Sequence, residues 1–305
     1  MNNSICGYCF LYRYDYFPEV IYRLREYTRL KNLKIFAYVI EGTLNNQIIE
    51  NLKNNIQNLE IKILKKVSLN NLNHDELFYN RKNVRYVKER FNKSRANFLH
   101  VIHYANNVSL LQEIMQYELA IQFDDSFFKQ KISIDFEAYF EDKNKQIITS
   151  KTWETGNSPE LISRRETTIN LFKTVKEFCN AKNIIPKNKI LKEAIEENSE
   201  RLFNTLKWSS CNFNIYKTNL FSSRKYYEWI NFINSSFLIF KYRWGDPELI
   251  GIYCYLYYED PLIDLSLSKD TYEHKPEFMK IITEENILKK IYRKLKNILY
   301  KFSRN

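Results

Sequence analysis

The sequence predicts an α/β fold, with a central mixed, mostly parallel sheet flanked by helices and an amphipathic C-terminal helix after it. Apolar strand patterns alternate with helical patterns over residues 5–67, as in sheets whose parallel strands are joined by helices. With 305 residues, of which 44 % are hydrophobic, the chain can bury a large core. No linker or internal repeat divides it, so we expect one domain over 1–284 and a terminal helix over 285–305.

The first element is the apolar run 5–13, which predicts a buried strand. A helix is expected at 17–30, because Pro18 stands in its first turn. The alternation then predicts a strand, a helix and a strand, at 34–42, 45–56 and 60–67. The carboxyl ends of such strands, near 12–14 and 41–43, are where α/β sheets bind nucleotides. The glycine-rich phosphate loop of dinucleotide folds is missing from the sequence.

The middle of the chain predicts further elements, whereas residues 70–95 are polar and show no clear pattern. The patterns indicate a helix at 107–117, capped by Asn106 or Asn107, and a strand at 118–125 that ends in two acids. Two long helices are expected at 158–182 and 189–206. A strand or extended loop follows at 209–218, and two more helices follow at 224–233 and 247–258. The apolar run 236–240 is interpreted as a strand that ends at the turn before Pro247.

The net charge of +11 favours anionic partners, such as phosphates, nucleic acid or an anionic membrane surface. A solvated lysine surface explains the same charge. The basic residues are dispersed outside the C-terminal segment, and no base-stacking module is recognisable. No nucleic-acid partner is therefore expected, although a basic nucleic-acid-binding protein stays open as an alternative.

Five cysteines are spread along the chain, and Cys6 and Cys9 form a Cys-x-x-Cys pair inside the first strand. No second Cys or His pair follows at zinc-site spacing, so reduced thiols in a core strand are favoured over a metal or redox site. The sequence shows no signal-peptide pattern and no apolar stretch of bilayer length. Together these features predict a cytoplasmic protein, peripheral at the inner face of a membrane.

The C-terminal segment predicts a basic amphipathic helix. Apolar residues recur at helical spacing from Ile287 to Phe302, and lysines and arginines occupy the other positions. Such a helix at a chain end is typical of a membrane-surface anchor, so residues 287–304 are the candidate contact with an anionic membrane. The alternative is a terminal helix docked on the domain with its lysines in water.

Two adjacent acids, Asp124 and Asp125, end the apolar strand 118–125. Acids at a buried position need a cation or hydrogen-bond donors, and carboxylates are ligands that hard divalent cations prefer. Both aspartates are therefore candidate metal ligands. The alternative is an aspartate that caps a turn.

The segment FKYRWGDP, residues 240–247, combines a cation, an aromatic face, a glycine and a carboxylate. Arg243 suits phosphate or carboxylate binding. Trp244 offers a flat apolar face of the kind that sugar rings pack against. Gly245 permits a positive φ or the close approach of a ligand, and Asp246 is presented at the turn. The alternative is a turn in which Arg243 and Asp246 pair with each other.

Asn212 and Asn214 are spaced by one on the strand 209–218, so they face the same side and line either a polar pocket or an ordinary edge. His274 stands in a polar turn late in the domain. A lone histidine is more often structural than a ligand, and only a partner motif makes a metal role the better interpretation.

In this order the motifs resemble those of the fungal α-1,2-mannosyltransferases of glycosyltransferase family fifteen, over roughly residues 100–276. The most specific match is YRWGD at 242–246. Looser matches are CNFNI at 211–215, FDD at 123–125 and YEHKP at 272–276. In the N-terminal third, Arg13 matches a family arginine in type and place.

The resemblance implies a GT-A-like, retaining glycosyltransferase that moves a mannose-like sugar from a nucleotide-sugar, with a GDP-sugar favoured. It implies a divalent cation, with Mn2+ favoured, bound by Asp125 and His274 with Asp124 beside them. Asp246 would then lie near the acceptor hydroxyl of a glycan or lipid-linked acceptor, in the synthesis of surface polysaccharide or glycoconjugate. The implied donor-binding residues are Tyr12, Arg13, Tyr242 and Trp244.

One departure from the family bears on mechanism. Where the family has a glutamate, its candidate nucleophile, this chain has Asn214, and an amide cannot attack an anomeric carbon as a carboxylate does. We therefore expect departure and attack on one face of the sugar, with Asn214 orienting or stabilising the oxocarbenium-like sugar. Arg243 and the metal would stabilise the leaving diphosphate. A non-catalytic, glycosyltransferase-like scaffold is the alternative.

Overall fold

The computed structural model describes residues 4–11, 14, 16–68, 96–124, 126–154, 168, 170–210, 212–235, 238–242 and 244–274. Several predictions concern residues outside this set, namely Tyr12, Arg13, Asp125, Arg243 and the helix over 285–305. For Tyr242 and His274 only the backbone is described.

A seven-stranded sheet forms the centre of the described chain, in the order β10-β6-β9-β4-β1-β2-β3. Six of these strands run parallel, and β9 alone runs against its neighbours β4 and β6. The bounds are β1 Ile5–Phe10, β2 Lys34–Ile40, β3 Leu59–Leu64, β4 Leu119–Phe123, β6 Ile147–Thr149, β9 Phe213–Lys217 and β10 Leu262–Asp264. The predicted mixed, mostly parallel sheet is therefore confirmed.

Two short antiparallel ribbons accompany the central sheet. One pairs β5 with β11 and the other pairs β7 with β8. Their bounds are β5 Ser126–Phe128, β11 Tyr272–His274, β7 Trp153–Glu154 and β8 Lys207–Trp208. The first ribbon brings the chain after the predicted acid motif against the segment around residue 273, although 140 residues and more separate the two in sequence.

Eleven α-helices lie in the described part of the chain. They are α1 Phe17–Tyr27, α2 Asn46–Asn55, α3 Ala96–Asn106, α4 Phe136–Glu141, α5 Leu171–Lys182, α6 Lys189–Glu196, α7 Glu200–Phe203, α8 Asn219–Ser222, α9 Arg224–Ser235, α10 Leu238–Tyr242 and α11 Asp246–Tyr257. The apolar faces of α1 and α2 join one buried cluster on one face of the sheet, whereas α5, α9 and α11 join a second cluster on the other face. The predicted flanking helices are thus present.

Local sequence explains most of the helix ends. Pro18 stands in the first turn of α1, and the Asn45 side chain caps α2 by accepting from the backbone N–H of Ile48 at 2.8 Å. Gly42 follows β2 with φ +78°, a left-handed conformation that glycine adopts without strain. None of the described helices has both the length and the apolar composition needed to span a bilayer.

Three predicted elements differ from the structure. The helix over 189–206 is two helices, because Asn198 adopts a left-handed φ of 52° and Ser199 caps a new start. The helix over 107–117 consists of two 3-10 turns, with no side-chain cap from Asn107. The described part of the apolar run 236–240, residues 238–240, belongs to helix α10 rather than to a strand, since a short apolar run fits either structure.

Candidate active site

The carboxyl ends of β1, β4 and β6 meet at one edge of the sheet, where the antiparallel β9 begins. Tyr8, Gln122, Asn214 and Thr149 are directly paired across these four strands. Directly paired residues project from the same face, so the four form a continuous polar row. All four are buried, which is unusual for neutral polar side chains without a binding or structural role.

Helix α11 begins above the polar row. Asp246 is in its first turn and retains some contact with solvent, whereas Gln122 beneath it is buried. The Gln122 Nε2 donates to Asp246 Oδ2 at 2.7 Å, and the Tyr216 hydroxyl donates to Gln122 Oε1 at 2.9 Å. The positive end of the helix dipole also favours a carboxylate here.

Asp246 has a strongly perturbed acidity. Its pKa is raised to about 7, chiefly by burial and also by the nearby Glu248 and Asp124 carboxylates. The hydrogen bonds from Gln122 and from the backbone N–H of Asp246 itself oppose the rise. A carboxyl group that exchanges its proton near neutral pH is suited to general acid–base chemistry.

The tyrosines around Asp246 are neutral hydrogen-bonding groups. Burial raises the pKa of Tyr8, Tyr216 and Tyr226 well above the ordinary value, and the charge of Asp246 adds to the effect. The Tyr8 hydroxyl is buried and has no hydrogen-bond partner among the described residues. It can therefore donate to, or accept from, a group that enters at this edge of the sheet.

Asn214 lies at the centre of the polar row with its amide orientation fixed. Its Nδ2 donates to the Ser210 backbone carbonyl, while its Oδ1 is buried without a partner among the described residues. The hydroxyls of Ser150 and Ser210 lie close by, 2.8 Å apart, and Thr149 Oγ1 accepts from the Ser210 N–H at 2.9 Å. An unpartnered buried acceptor is costly, so Asn214 Oδ1 is suited to receive a hydroxyl from a ligand.

Two expectations for the 240–247 segment are corrected by the structure. Trp244 is fully buried in the core, so its ring offers no exposed platform for a sugar. Gly245 is extended, with φ −88° and ψ 170°, which excludes the positive φ, whereas the close approach of a ligand stays a prediction. Asp246 accordingly opens a helix and is not presented from a turn at a strand end.

The predicted metal ligands are only partly described. Asp124 directly follows β4, its N–H donates to the Asn212 carbonyl at 3.0 Å, and its side chain is partly buried. His274 lies in β11 rather than in a turn, and its backbone pairs with Ser126, the sequence neighbour of Asp125. Within the described residues no three His, Cys, Asp or Glu side chains form a set that could hold a metal ion. The metal assignment to Asp125 and His274 stays a prediction.

The Cys-x-x-Cys pair lies in the core. Cys6 and Cys9 are both buried on β1 and form no disulfide, and they belong to the clusters on opposite faces of the sheet. Burial raises the pKa of the Cys6 thiol well above its ordinary value. Neither feature suits a shared metal site or a reactive dithiol.

Sequence reasoning missed Gln122, Tyr216 and Tyr8. Gln122 is two residues before Asp124 on β4, and Tyr216 is two residues after Asn214 on β9. The period of two therefore places Gln122 and Tyr216 on the same faces as two predicted site residues. That spacing is the signal that could have identified Gln122 and Tyr216.

The fold is shared with solved mannosyltransferases. The mannosyltransferase Ktr4p from S. cerevisiae in complex with GDP superposes with a TM-score of 0.66 at 13 % identity, over 90 % of this chain and 71 % of the other. Core-mannan synthase A from Aspergillus fumigatus, in its Mn/GDP form, gives 0.63 at 14 % identity, over 90 % and 75 %. The mannosyltransferase Ktr4p from S. cerevisiae, in a further structure, gives 0.63 at 13 %, over 90 % and 70 %. These similarities confirm the GT-A-like fold that the motifs implied.

No protein-family model matches the chain, and no curated protein matches its sequence.

Proposed function

We propose that the protein is a glycosyltransferase that moves a mannose-like sugar from a nucleotide-sugar, preferably a GDP-sugar, to a hydroxyl of a glycan or lipid-linked acceptor. The observation that carries this proposal is the position of Asp246 at the carboxyl edge of a GT-A-like sheet, with a carboxyl pKa raised to about 7. The similar structures support the donor class, because one is a complex with GDP and another is a Mn/GDP form.

In the proposed reaction the bond from the anomeric carbon to the diphosphate breaks and a bond to the acceptor oxygen forms. Asp246 receives the acceptor proton, for which its raised pKa and its residual exposure suit it. Because Asn214 cannot form a covalent glycosyl intermediate, the retention that the family resemblance implies requires attack on the face from which the diphosphate leaves. The Oδ1 of Asn214 accepts a hydroxyl of the sugar and orients it.

The donor and the metal would be held by residues whose side chains are not described. Asp125 and His274, with Asp124 beside them, provide oxygen and imidazole ligands that fit a divalent cation such as Mn2+. When bound, that cation would neutralise charge on the leaving diphosphate. Arg243, Arg13, Tyr12 and Tyr242 are proposed to contact the donor.

Donor binding and turnover test the proposal separately. GDP-mannose with manganese should raise the melting temperature of the wild-type protein, because a ligand that binds only the folded state stabilises it. Asp125→Ala should lose the manganese-dependent part of the shift. Asp246→Asn should keep the shift and lose most transfer, by roughly 100-fold or more. Equal transfer by Asp246→Asn and the wild-type protein would contradict the role of Asp246.

A non-catalytic scaffold is the second candidate, and the amide at position 214 favours it. A scaffold would bind a nucleotide-sugar without cleaving it. Incubation with GDP-mannose, manganese and methyl α-mannoside, followed by detection of free GDP and of disaccharide, decides between the two. Any transfer that exceeds the Asp246→Asn background dismisses the scaffold.

We also propose that residues 287–304 bring the enzyme to an anionic membrane at the cytoplasmic face, where a lipid-linked acceptor would be found. The basic and apolar residues of this segment support the proposal. The full chain should sediment with phosphatidylserine vesicles and not with phosphatidylcholine vesicles. Glutamate substitutions at Lys289, Lys290 and Lys294 should release it, whereas Lys189→Glu, at an exposed position of α6, should not.

A further inference from the structure

A buried chain of hydrogen bonds leads from the core to Asp246. The Tyr216 hydroxyl donates to Gln122 Oε1 at 2.9 Å, so the Gln122 oxygen is occupied as an acceptor. The amide nitrogen must then point the other way, where it donates to Asp246 Oδ2 at 2.7 Å. A flipped amide would place its oxygen against the carboxylate, and that arrangement of two acceptors is repulsive. The Asp246 carboxylate, which only accepts, and the Tyr216 hydroxyl together fix which end of Gln122 faces Asp246.

The elements that carry the three residues hold this chain rigidly. Gln122 and Tyr216 are diagonal neighbours on the adjacent strands β4 and β9, in the centre of the sheet. Gln122 and Tyr216 are buried, and both ends of the Gln122 amide are already hydrogen-bonded, unlike Asn214 Oδ1 and the Tyr8 hydroxyl, which have no partner among the described residues. Asp246 is more exposed than either. The hydrogen bonds connect these two buried residues to the more exposed Asp246 through the Gln122 amide nitrogen.

We propose that Gln122, oriented by Tyr216, is a positioning residue that fixes the Asp246 carboxylate for the acceptor hydroxyl. The assignment rests on the proposed glycosyltransferase function. It accounts for a neutral amide at this buried position. A carboxylate at residue 122 would place a second negative charge against Asp246, and an apolar side chain would leave the carboxylate without its fixed donor. The Gln122 amide both accepts from Tyr216 and donates to Asp246.

The test compares transfer of the sugar with its hydrolysis by water. Gln122→Met keeps the length of the side chain and removes both hydrogen bonds, while Tyr216→Phe frees the Gln122 amide to rotate. The probes are GDP-mannose with manganese and methyl α-mannoside as acceptor. Because a misoriented carboxylate affects the acceptor more than the donor, we expect kcat for transfer to fall roughly 10- to 100-fold in Gln122→Met and less in Tyr216→Phe. The KM for GDP-mannose should stay within about twofold, and the ratio of transfer to hydrolysis should fall in both variants.

Gln146→Met is the matched control. Gln146 is also a buried glutamine, 4 % exposed, and its Nε2 donates to the Lys143 carbonyl at 2.7 Å, away from the candidate site. It should lower the melting temperature without changing the ratio of transfer to hydrolysis. An unchanged ratio in Gln122→Met, or in Tyr216→Phe should the first variant not fold, would overturn the positioning role and leave the enzyme's function intact. A wild-type protein that neither binds nor cleaves any of a panel of nucleotide-sugars overturns both proposals.

Discussion

At the residue scale, Gly245 is needed because it has no side chain, and not because its backbone adopts a conformation that only glycine tolerates. A methyl group at this position would lie 2.7 Å from Glu248 Oε2 and 3.3 Å from the Pro247 ring. Glu248 is buried and contributes to the raised pKa of Asp246. Gly245 thus allows a second acid to fold back against the start of α11.

Gly245→Ala should therefore destabilise the protein. The Glu248 side chain must move within a packed site, and we expect a loss of about 1–2 kcal/mol in the free energy of unfolding. Gly251→Ala is the control within the same helix, because its added methyl group would meet the Trp208 ring at an ordinary 3.4 Å. That change should be neutral or stabilising, by up to about 1 kcal/mol. Urea denaturation of both variants gives the comparison, and equal effects would contradict the role of Gly245.

Asn214 is a second residue whose chemistry the structure specifies closely. In Asn214→Asp the donor to the Ser210 carbonyl is lost and a carboxylate is placed at a fully buried position. We expect a loss of about 2–4 kcal/mol near neutral pH, because the ion is desolvated and faces a carbonyl oxygen. The loss should shrink in acid, where the new carboxyl is protonated. Melting curves of the variant and the wild-type protein across pH measure it, and a loss independent of pH would argue against burial of the charge.

At the scale of elements, Asn188 joins two parts of the fold. Its Oδ1 caps α6 by accepting from the Leu191 N–H at 3.0 Å, and its Nδ2 donates to the Glu259 carbonyl at 2.7 Å. Its backbone N–H donates to the Tyr255 carbonyl at 3.1 Å. Asn188 therefore ties the start of α6 to the chain around the end of α11.

Asn188→Ala should cost more than the loss of a cap alone. We expect about 1 kcal/mol for the cap and about 1 kcal/mol for the link to Glu259. Asn45→Ala removes a cap of the same type from α2 and no such link, so it should cost only the first amount. Asn188→Ser keeps a capping hydroxyl and cannot reach Glu259, and it should fall between the wild-type protein and Asn188→Ala. Chemical denaturation of the three variants would refute the link if Asn188→Ala and Asn45→Ala lost equal stability.

The elements also show what the sequence could and could not predict. The parallel strands β1, β2 and β3 were predictable, because their apolar runs are short and separated by amphipathic helices with clear starts, such as Pro18 and Asn45. The parallel strands β6 and β10 were not predicted, because three residues are too few to show a strand pattern. The run 236–240 was not, since a five-residue apolar segment has no period long enough to separate helix from strand. Likewise Asn198 ends a helix only through its left-handed backbone, which its side chain permits and does not require.

The candidate site was predictable in part, for a related reason. Asp246 and Asn214 stand in short local motifs, whereas the Gln122–Asp246 and Tyr216–Gln122 hydrogen bonds join residues 124 and 94 positions apart. Contacts of that range follow from sheet register and helix placement, which no local pattern specifies. The burial of Trp244 has the same origin, because an aromatic side chain suits a core and a sugar platform equally well.

At the scale of the whole molecule, the raised pKa of Asp246 makes the stability of the fold depend on pH. The pKa of its carboxyl is raised from 3.8 to about 7 by folding, so the folded protein binds a proton that the unfolded chain releases between these values. Stability therefore falls as pH rises through this window. His100 and His103 act in the opposite direction, because burial lowers their pKa and the folded protein loses stability as they must protonate below their ordinary value. Their effects overlap that of Asp246 in mildly acid solution.

A comparison of Asp246→Asn with the wild-type protein separates the effect of the Asp246 carboxyl from the effects of His100 and His103. The Asn side chain is neutral at every pH and keeps an oxygen that accepts from Gln122, so the difference in stability reports the carboxyl alone. At about pH 4 both side chains are neutral in the folded protein, and the difference in stability should be small because the aspartate of the unfolded chain is only partly ionised. By about pH 8 the variant should be more stable by on the order of 2–4 kcal/mol, an amount that is reduced by the residual exposure of Asp246. Calorimetric melting over this range measures the difference. A difference that stays constant with pH would mean that folding does not perturb this carboxyl. A difference that grows while transfer is lost would identify Asp246 as a group whose catalytic protonation state is maintained at the expense of stability.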